Sequence, residues 1–495
     1  MNKKVIAVDI GASSGKMAFG EFDGSQLLVR EYRDFANRPV DIGTALYWDV
    51  FSLHNAIVDG MAYFKEKYGE ADAVAVDTWG ASYGLLDKKG RLMEPVYHYR
   101  DERTRTTIQD MNSVMNTYEL FRLTGCQCNR TYTLPQLYSY RAENSAVLYN
   151  ASSMLLLPDL LGYFLTGVKT TEMTIAGTSC LMENRQENWS IEVARRFGIP
   201  EKLYTEIVEP RTFKGNLRQE IQIQTGMKNT RLVATVGHDS AAAVAAIPDF
   251  GENKLYISIG TNVSMGVERS ECLLSREGYL KGFKNTGGID RKKIIYRDFS
   301  ACWHLNEFIR TRKEQGITYS FVDLINMALE VKNPVPWFDV EVLSFNEAGG
   351  DFCRKMNQYF AQTGQRELTE DGEFVRSIYE SIVLKIRHYA EALKELGIIY
   401  GRINIINGAV RNSLLMQMIS NALGKEVYAG MEYATLTGNL LTQLYAMGEV
   451  KTVKEMRSLS AECFSMKQYG PEEQEYWTET AAVSYTHLRA HETSQ

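Results

Sequence analysis

The sequence predicts an α/β protein of two domains. Its 495 residues exceed what one hydrophobic core usually holds, and they suggest two domains of roughly 200 to 250 residues each. Hydrophobic residues make up 44% and charged residues 23% of the chain, which is ordinary for a globular protein, so each domain can form a core. A third observation is a repeated unit: a strand-like apolar run, a small hydroxyl-bearing turn and a second strand-like run occur once in each half.

The two turns have the residue types of a phosphate-binding site. The first turn lies in Asp9–Ser14 and the second in Ser258–Asn262. Glycine lets the backbone approach a ligand closely, and successive N–H groups and hydroxyls can surround phosphate oxygens. Two such turns that faced each other would hold one polyphosphate between two lobes. The repetition therefore predicts a nucleotide site in a cleft.

In the first half of the chain, the pattern of apolar runs and turns predicts a meander of strands followed by a helix and a further strand. Residues 5–31 alternate strand-like runs with turns, residues 50–67 have helical spacing, and residues 71–80 form a buried type of strand that ends in polar and aromatic residues. Strand ends of this kind commonly carry ligand contacts in α/β proteins. Residues 231–247 then predict a strand, a tight loop and a helix start, with Asp239 beside the helix N-terminus, where a carboxylate is favoured.

The second half begins after a boundary near residues 240–250, where Pro248 and Gly251 interrupt the pattern. The spacing predicts a long helix over 373–396, a strand over 403–406 and a helix over 412–423. We therefore expect an N-terminal domain at residues 1–245 and a C-terminal domain at 246–478. Residues 479–495 are polar and lack a period, and they predict a non-native or disordered tail.

Composition and charge exclude several functions. The net charge of −6 argues against a general nucleic-acid binder, because such proteins usually carry a basic stripe. No stretch reaches the roughly 20 apolar residues that a membrane span requires, and Asp9 interrupts the N-terminal apolar run before a secretory signal is complete. We therefore expect a cytoplasmic protein with neither nucleic acid nor membrane as partner. The sequence does not indicate its oligomeric state.

The seven cysteines are scattered, apart from Cys126 and Cys128. A C-x-C pair without a second pair is weak evidence for zinc, and buried free thiols are the alternative interpretation.

Several motifs, taken in sequence order, resemble the FGGY family of carbohydrate kinases, which belongs with Hsp70 and actin to one superfamily. The resemblance covers the chain up to residue 475 or so. It is carried by residues 8–16, Asp77–Gly80, Tyr99–Asp101, Leu157–Asp159, Leu165–Gly167, His238–Ser240 and Gly372–Ser381. It implies two actin-like (ribonuclease H-like) α/β lobes with ATP and a sugar in the cleft between them. It also implies transfer of the ATP γ-phosphate to a sugar hydroxyl, with ATP and Mg²⁺ as cofactors.

The resemblance assigns Asp239 to catalysis. Phosphoryl transfer asks a protein for alignment, charge neutralisation and a group beside the attacking oxygen, and a carboxylate on a rigid loop can accept the hydroxyl proton. Local sequence equally allows Asp239 only to cap the following helix. Asp9 is expected to hold Mg²⁺ through water, because this ion keeps several waters and needs few carboxylates. The ATP-binding residues implied are Ala12, Ser13, Ser14, Gly15, Lys16, Thr261, Asn306 and Gly408.

The sugar side implied by the resemblance is Gly80, His238, Asp239, Ser240 and Asp298, with Trp79 and Arg100 as wall residues. An aromatic face packs on sugar C–H bonds, and charged or amide groups bind adjacent hydroxyls. Two alternatives remain open. Trp79 has the character of a core residue, and the Tyr99–Asp101 stretch could form a structural ion pair.

The chain departs from the family pattern in places that concern the substrate. Related kinases carry Trp-Ser after the second turn, a Lys-Asn pair followed by a glutamine, a triple glycine, and Glu-Ala-Thr. This chain has instead Asn262-Val263, Arg297-Asp298 followed by Asn306, Asn407-Gly408-Ala409, and Tyr433-Ala434-Thr435 with Glu432 one place earlier. A charged group in place of an amide changes which hydroxyl pattern is satisfied, and each buried polar mismatch costs about 1–3 kcal/mol.

We therefore expect a ketose kinase, with L-rhamnulose converted to L-rhamnulose 1-phosphate as the first candidate reaction. L-Fuculose or another pentulose or hexulose follows, and a degenerate protein that senses ATP and sugar is a further alternative. Chaperone-like ATPases and filament proteins share such a nucleotide cleft, but they lack the Asp77–Gly80 motif joined to a later Gly-His-Asp loop.

Overall fold

The computed structural model describes residues 2–248 and 254–480. Their contacts define two compact units. The first unit contains residues 2–248, 268–295 and 433–464, and the second unit contains residues 254–267, 296–432 and 465–480. These compact units are not contiguous in sequence, because two later stretches of chain pack within the first unit, and the domain division between residues 245 and 246 stays a prediction. The tail predicted at 479–495 lies outside the described residues from residue 481 onward.

The strands up to residue 248 are β1 (Lys3–Ile10), β2 (Ser14–Phe22), β3 (Leu27–Ala36), β4 (Pro39–Asp41), β5 (Leu46–Trp48), β6 (Ala73–Thr78), β7 (Tyr83–Leu86), β8 (Val96–Tyr97), β9 (Ser153–Leu156), β10 (Thr170–Glu172), β11 (Met182–Glu183), β12 (Asn188–Trp189), β13 (Glu206–Val208), β14 (Phe213–Asn216) and β15 (Arg231–Val233). The helices are α1 (Val50–Tyr68), α2 (Thr107–Asn112), α3 (Thr117–Thr124), α4 (Thr133–Ala142), α5 (Ala146–Asn150), α6 (Leu157–Thr166), α7 (Met173–Ala176), α8 (Ile191–Phe197), α9 (Gln219–Thr225) and α10 (Asp239–Ala246).

From residue 254 the strands are β16 (Leu255–Ile259), β17 (Asn262–Arg269), β18 (Lys284–Gly287), β19 (Lys293–Ser300), β20 (Ile403–Ile406), β21 (Val427–Gly430) and β22 (Met466–Tyr469). The helices are α11 (Arg276–Leu280), α12 (Cys302–Glu314), α13 (Phe321–Glu330), α14 (Phe352–Gln362), α15 (Asp371–Glu395), α16 (Ser413–Leu423), α17 (Ala434–Ala446) and α18 (Val453–Cys463). Short 3₁₀ turns occur at Glu102–Thr104, Glu201–Leu203, Ile289–Arg291, Leu343–Phe345 and Gly408–Arg411.

The first sheet has the strand order β14-β15-β6-β1-β2-β3. Strands β1, β2 and β3 form the antiparallel meander that the sequence predicts, and β6 lies parallel to β1. All six residues of β6 are buried, which explains its unbroken apolar run, because a strand covered on both faces does not alternate.

The second sheet has the order β18-β19-β17-β16-β20-β21-β22. Strands β16 and β17 form an antiparallel hairpin, and β20 and β21 continue the sheet in parallel. The run β19-β17-β16-β20-β21 therefore repeats the run β3-β2-β1-β6-β15 of the first sheet. The duplication predicted from the two turns is confirmed at the level of strand order.

Two long helices match their sequence signals closely. Helix α1 begins where the Asp49 carboxylate accepts a hydrogen bond from Ser52 N at 3.0 Å and ends at Gly69, whose φ is 87°. Helix α15 begins with a capping box between Glu370 and Glu373. Such caps satisfy N–H groups that have no partner inside the helix, and they fix the helix start within two residues of the predicted position.

Helix α10 consists largely of buried alanines, and it packs closely against α17 within the first unit. At Gly438 in α17, an added Cβ would lie 1.9 Å from the carbonyl oxygen of Ala242. Only a glycine permits this approach of two backbones. The contact matters for function because α10 begins at Asp239.

One apolar cluster packs on one face of β1 and β6 together with α1 and α6, and a second fills the region of α3, α4, α5, α7 and α8. Cys126 and Cys180 are buried in the second of these clusters as free thiols. Within the part of the chain that the structure describes, no helix is both long enough and apolar enough to cross a membrane.

Candidate active site

The first glycine turn joins β1 to β2 and presents exposed hydroxyls. Gly11 N donates to Ser14 O at 2.9 Å, and the Asn37 side-chain amide donates to Gly11 O at 2.8 Å. Ala12, Ser13 and Ser14 are exposed at the tip. Gly15 is buried against Phe35, whose ring would lie 2.1 Å from an added Cβ. The turn is therefore fixed at its base while its tip remains accessible to a ligand.

Lys16 follows this turn and is half-buried. Its ammonium forms an ion pair with Asp34 on the neighbouring strand β3. The same nitrogen lies 5.0 Å from the ring centre of Tyr433, and that ring packs on Tyr32 at 4.5 Å. An aromatic face therefore lies beside Lys16 in addition to the Asp34 carboxylate, at a position where the resemblance leads us to expect a glutamate.

A half-buried carboxyl group, Asp9, and a fully buried one, Asp77, lie one residue before the ends of the parallel strands β1 and β6. Asp9 and Asp77 are register partners. Burial, reinforced by the charge of Asp239, raises the pKa of Asp9 to about 7, against a hydrogen bond with Asp77 and the charge of Lys16. Burial and the charge of Asp9 raise the pKa of Asp77 well above its usual value. Asn439 of α17 donates to Asp77 Oδ2 at 2.6 Å, which partly offsets this cost.

Asp239 is the first residue of α10, and the turn that carries it is joined to the end of β6. Thr78 N donates to Gly237 O at 3.0 Å, and Thr78 pairs with His238 in a short parallel bridge. Asp239 Oδ1 accepts from Ser240 N at 2.5 Å and lies 3.5 Å from His238 Nε2. The N-cap residue of α10 is His238, and no side-chain cap hydrogen bond forms there, so the structure does not match the capping alternative. The charge of Asp239 instead reaches both Asp9 and Asp77.

The structure therefore brings Asp9, Asp239 and the first glycine turn to one edge of the first sheet. Asp9 is separated by one residue from Gly11, and His238 and Ser240 flank Asp239. A negatively charged edge beside exposed N–H and hydroxyl groups suits a phosphate ligand only if a cation accompanies it.

Trp79 and Gly80 follow directly after the last residue of β6, Thr78. Trp79 is 7% exposed, donates from Nε1 to Ser82 Oγ at 2.9 Å and packs on Trp48 at 4.2 Å. These contacts match the core-packing alternative. An added Cβ at Gly80 would lie 2.7 Å from Thr178, so the backbone at this position has no room for a side chain.

Arg100 is exposed, and its guanidinium lies 5.6 Å from the Tyr99 ring centre. The adjacent Asp101 accepts from Leu46 N at 2.8 Å and from Arg103 N at 3.0 Å. Asp101 therefore fixes local backbone, while Arg100 remains accessible to solvent.

The second glycine turn is one residue shorter than the first. Gly260 N donates to Asn262 O at 2.9 Å. Thr261 O accepts from Ala301 N and Trp303 N, both at 3.1 Å, so the turn is attached to the start of α12. Asn306 is exposed on that helix.

Gly408 follows the parallel neighbour of β16, at the same edge of the second sheet. The preceding Asn407 has φ 69° and ψ −169°, a conformation that glycine adopts far more readily than other residues. Its amide donates to Ser258 Oγ at 2.8 Å. This bond helps an asparagine occupy a position where the resemblance leads us to expect glycine. No heavy atom lies within 4 Å of a Cβ placed on Gly408, which leaves space beside the turn.

Arg297 and Asp298 have different surroundings in the second unit. Arg297 forms an ion pair with Glu341 at 2.7 Å and lies 4.5 Å from the Tyr389 ring centre. Asp298 is exposed. Of this pair, Asp298 is the more exposed, because Arg297 is half-buried.

The sequence interpretation assigned no role to four further candidates at this site: Asp77, Glu172, Thr174 and Asn439. The sequence does indicate a role for Asp77 beside Asp9, because Ala73–Asp77 repeats the apolar run and terminal aspartate of Val5–Asp9. Glu172 is 2% exposed and accepts from Gly237 N at 2.9 Å. Burial raises the pKa of Glu172 to about 7, against hydrogen bonds from Thr174. The sequence gives no indication of the last three positions, because their partners are distant in the chain.

The fold and site together define a class of protein: two-domain phosphotransferases with actin-like (ribonuclease H-like) units. The chain belongs to the FGGY family of carbohydrate kinases. The model of that family's N-terminal domain matches residues 4–246, and the model of its C-terminal domain matches residues 255–447. The protein is thus an ATP-dependent carbohydrate kinase, and the predicted family and fold are confirmed.

Known relatives agree with this assignment. The rhamnulokinase of Bacteroides thetaiotaomicron is 31% identical over 496 residues and covers 99% of each chain. The rhamnulokinase of Bacillus subtilis is 30% identical over 492 residues and covers 98% of this chain and 99% of its own. The solved xylulose kinase of Lactobacillus acidophilus superposes with a TM-score of 0.83 over 99% of this chain and 98% of its own, at 14% identity. That likeness shows the fold alone.

Proposed function

We propose that this kinase transfers the ATP γ-phosphate to a hydroxyl of a ketose, with L-rhamnulose as the first candidate and L-rhamnulose 1-phosphate as product. Two relatives named rhamnulokinase, at 31% and 30% identity over nearly the whole chain, support this substrate. The observation that carries the chemistry is the meeting of Asp239 with Asp9 and Asp77 at one edge of the first sheet. The small-molecule partners are ATP and the sugar, and the enzyme would act in the cytoplasm.

In this proposal Asp239 is the catalytic base. Its backbone is fixed by Thr78 and by the start of α10, so the carboxylate can receive the hydroxyl proton without reorganising. Other groups align the two substrates. The ATP-binding residues are Ala12, Ser13, Ser14, Gly15 and Lys16 in the first unit and Thr261, Asn306 and Gly408 in the second. The sugar-binding residues are Gly80, His238, Ser240, Arg100 and Asp298, with Trp79 supporting Gly80 from the core. A cleft shared by both units stays a prediction.

The residues present fit a Mg²⁺ ion held by Asp9 through water. Burial and neighbouring carboxylates raise the pKa values of Asp9 and Asp77, and a cation bound beside them would favour their charged forms. Across residues 2–248 and 254–480, no group of three or more His, Cys, Asp or Glu side chains is arranged to hold a metal. This donor set fits an ion that keeps most of its water and binds phosphate oxygens. When bound, the ion would neutralise phosphate charge.

The test is ADP release from Asp239→Asn in a coupled assay. We expect kcat to fall by about 100-fold to 10,000-fold, the usual contribution of a general base, while sugar still binds. Asp59→Asn, at an exposed position of α1, is the matched control and should keep wild-type turnover. Near-normal kcat in Asp239→Asn would end the assignment of the base.

Substrate identity is tested with a panel of ketoses that includes L-rhamnulose, L-fuculose and other pentuloses and hexuloses. The exposed Asp298 and the ion-paired Arg297 stand where related kinases have Lys-Asn, which favours a changed hydroxyl preference. If no ketose stimulates ADP release, the kinase proposal fails. A ligand-induced rise in melting temperature with ATP and sugar, without turnover, would then favour the sensor alternative.

A further inference from the structure

The short segment Glu172–Thr174 contacts the turn that carries Asp239. Two successive N–H groups of that turn donate to it: Gly237 N to Glu172 Oε2 at 2.9 Å and His238 N to Thr174 Oγ1 at 3.3 Å. On its other side the turn is held by Thr78 N, which donates to Gly237 O at 3.0 Å. The turn is therefore held from two directions immediately before the catalytic residue.

The segment is itself rigid and buried. Glu172 accepts from Thr174 N at 2.8 Å, from Thr174 Oγ1 at 2.6 Å and from Ile175 N at 3.1 Å. Its backbone N–H donates to Asp159 Oδ1 at 3.1 Å, and Asp159 forms an ion pair with Lys214 at 2.7 Å. Each acceptor is thus anchored by several bonds, so it cannot follow the turn if the turn moves.

Packing makes the contact tight as well as polar. A Cβ added at Gly237 would lie 2.8 Å from Glu172 Oε2. Gly237 does not have a positive φ, so the requirement for glycine comes from the closeness of the carboxylate and not from backbone conformation. Any change in the position of Glu172 is transmitted directly to the residue two places before Asp239.

We propose that Glu172 and Thr174 are positioning residues, which set the place of Asp239 by holding the N–H groups of Gly237 and His238. The inference rests on the proposed role of Asp239. A displacement of about 1 Å at a reacting group can cost about 100-fold in rate, so loss of this support should appear in kcat. Binding of ATP, whose proposed contacts lie on other loops, should change little.

The test compares Thr174→Val with Thr171→Val, because both remove a buried threonine hydroxyl. Thr171 pairs with Thr205 at 2.7 Å and has no part in holding the turn. We expect Thr174→Val to lower kcat at least about 10-fold with the ATP KM within about twofold, and Thr174→Ser to restore kcat. Thr171→Val should lower the melting temperature to a similar extent with kcat within about twofold of wild type. Gly237→Ala, which displaces the turn by steric contact, should reproduce the loss of kcat.

Hydrogen exchange of the peptide spanning residues 234–240 gives a second readout that needs no sugar. We expect faster exchange in Thr174→Val and not in Thr171→Val. Equal kcat in these two variants, or equal exchange, would overturn the inference. A failure of the proposed function looks different: Asp239→Asn would stay active, or the wild type would phosphorylate no ketose, while exchange in Thr174→Val still rises.

Discussion

Lys385 and Lys394 lie on the same helix, α15, and differ mainly in burial. The Lys385 side chain is 4% exposed and forms ion pairs with Asp339 at 3.0 Å and Glu341 at 2.7 Å. The Lys394 side chain is 40% exposed and pairs with Glu391 at 2.8 Å. Replacing each lysine by methionine keeps length and helix propensity nearly constant. The two variants therefore separate the effect of a buried charge pair from that of an exposed one.

The expected loss of unfolding free energy in Lys385→Met follows from the carboxylates that Lys385 contacts. Burial would raise the pKa of Glu341, but Lys385 and Arg297 lower it from 4.5 to about 2. Lys385 also pairs with Asp339, and these two side chains are 4% and 10% exposed, so the loss of about 3–5 kcal/mol that is typical of breaking a buried pair applies. We expect Lys385→Met to lose about 3 kcal/mol of unfolding free energy and Lys394→Met to lose about 0.5 kcal/mol or less.

Urea unfolding followed by tryptophan fluorescence at several pH values is the assay. A carboxyl group with a depressed pKa stabilises the folded state above its unfolded pKa, and this contribution is lost as pH falls through the folded pKa. The deficit of Lys385→Met should therefore be full above pH 4.5 and shrink as pH falls toward 2. Equal losses in the two variants, or a deficit independent of pH, would refute the reasoning.

Two further predictions concern α17. Asn439→Ala removes the amide that donates to Asp77 Oδ2 at 2.6 Å. We expect this variant to lose about 1.5–3 kcal/mol of unfolding free energy. An unchanged melting temperature in a thermal scan would contradict this expectation. Gly438→Ala should force α17 away from the carbonyl of Ala242, which lies 1.9 Å from the added Cβ, and lower both melting temperature and kcat. Gly401→Ala, where no heavy atom lies within 4 Å, is its control and should stay within about 0.5 kcal/mol of wild type; if both glycine variants behave alike, the close helix contact has no such role.

The sequence predicted the sheets well because their signals are local. The repeated strand-turn-strand unit at β1 and β16 indicated the duplication, and the helical spacing of apolar residues located α1 and α15. It predicted much less about what surrounds Asp239. Glu172 reaches Gly237 across 65 positions and Asn439 reaches Asp77 across 362, and neither residue lies in a motif of its own. Polar side chains inside buried helices or beside short strands acquire their roles only from tertiary packing.

The same limit applies to the domain boundary. Pro248 and Gly251 indicated a domain boundary near residues 240–250. Nothing in the sequence of residues 433–464 indicates that they pack with the first unit. Their pattern of buried small and polar residues, including Gly438, Asn439 and Gln443, has a reason only when β1 and α10 lie against them.

Helix α17 is synthesised after most of the first unit, so the first unit cannot complete its packing until late in translation. Gln443 donates to the carbonyl of Ile6 at 2.9 Å, so the earliest strand receives one of its partners from near the end of the chain. About 200 residues separate residue 248 from the end of α17, and at about 5–20 residues per second the ribosome needs about 10–40 s to produce them. During that interval the nascent chain exposes the apolar surface that α17 later covers, and Asp77 has no amide beside it. Chaperones that bind unfinished domains should therefore associate with this polypeptide until its final helices emerge.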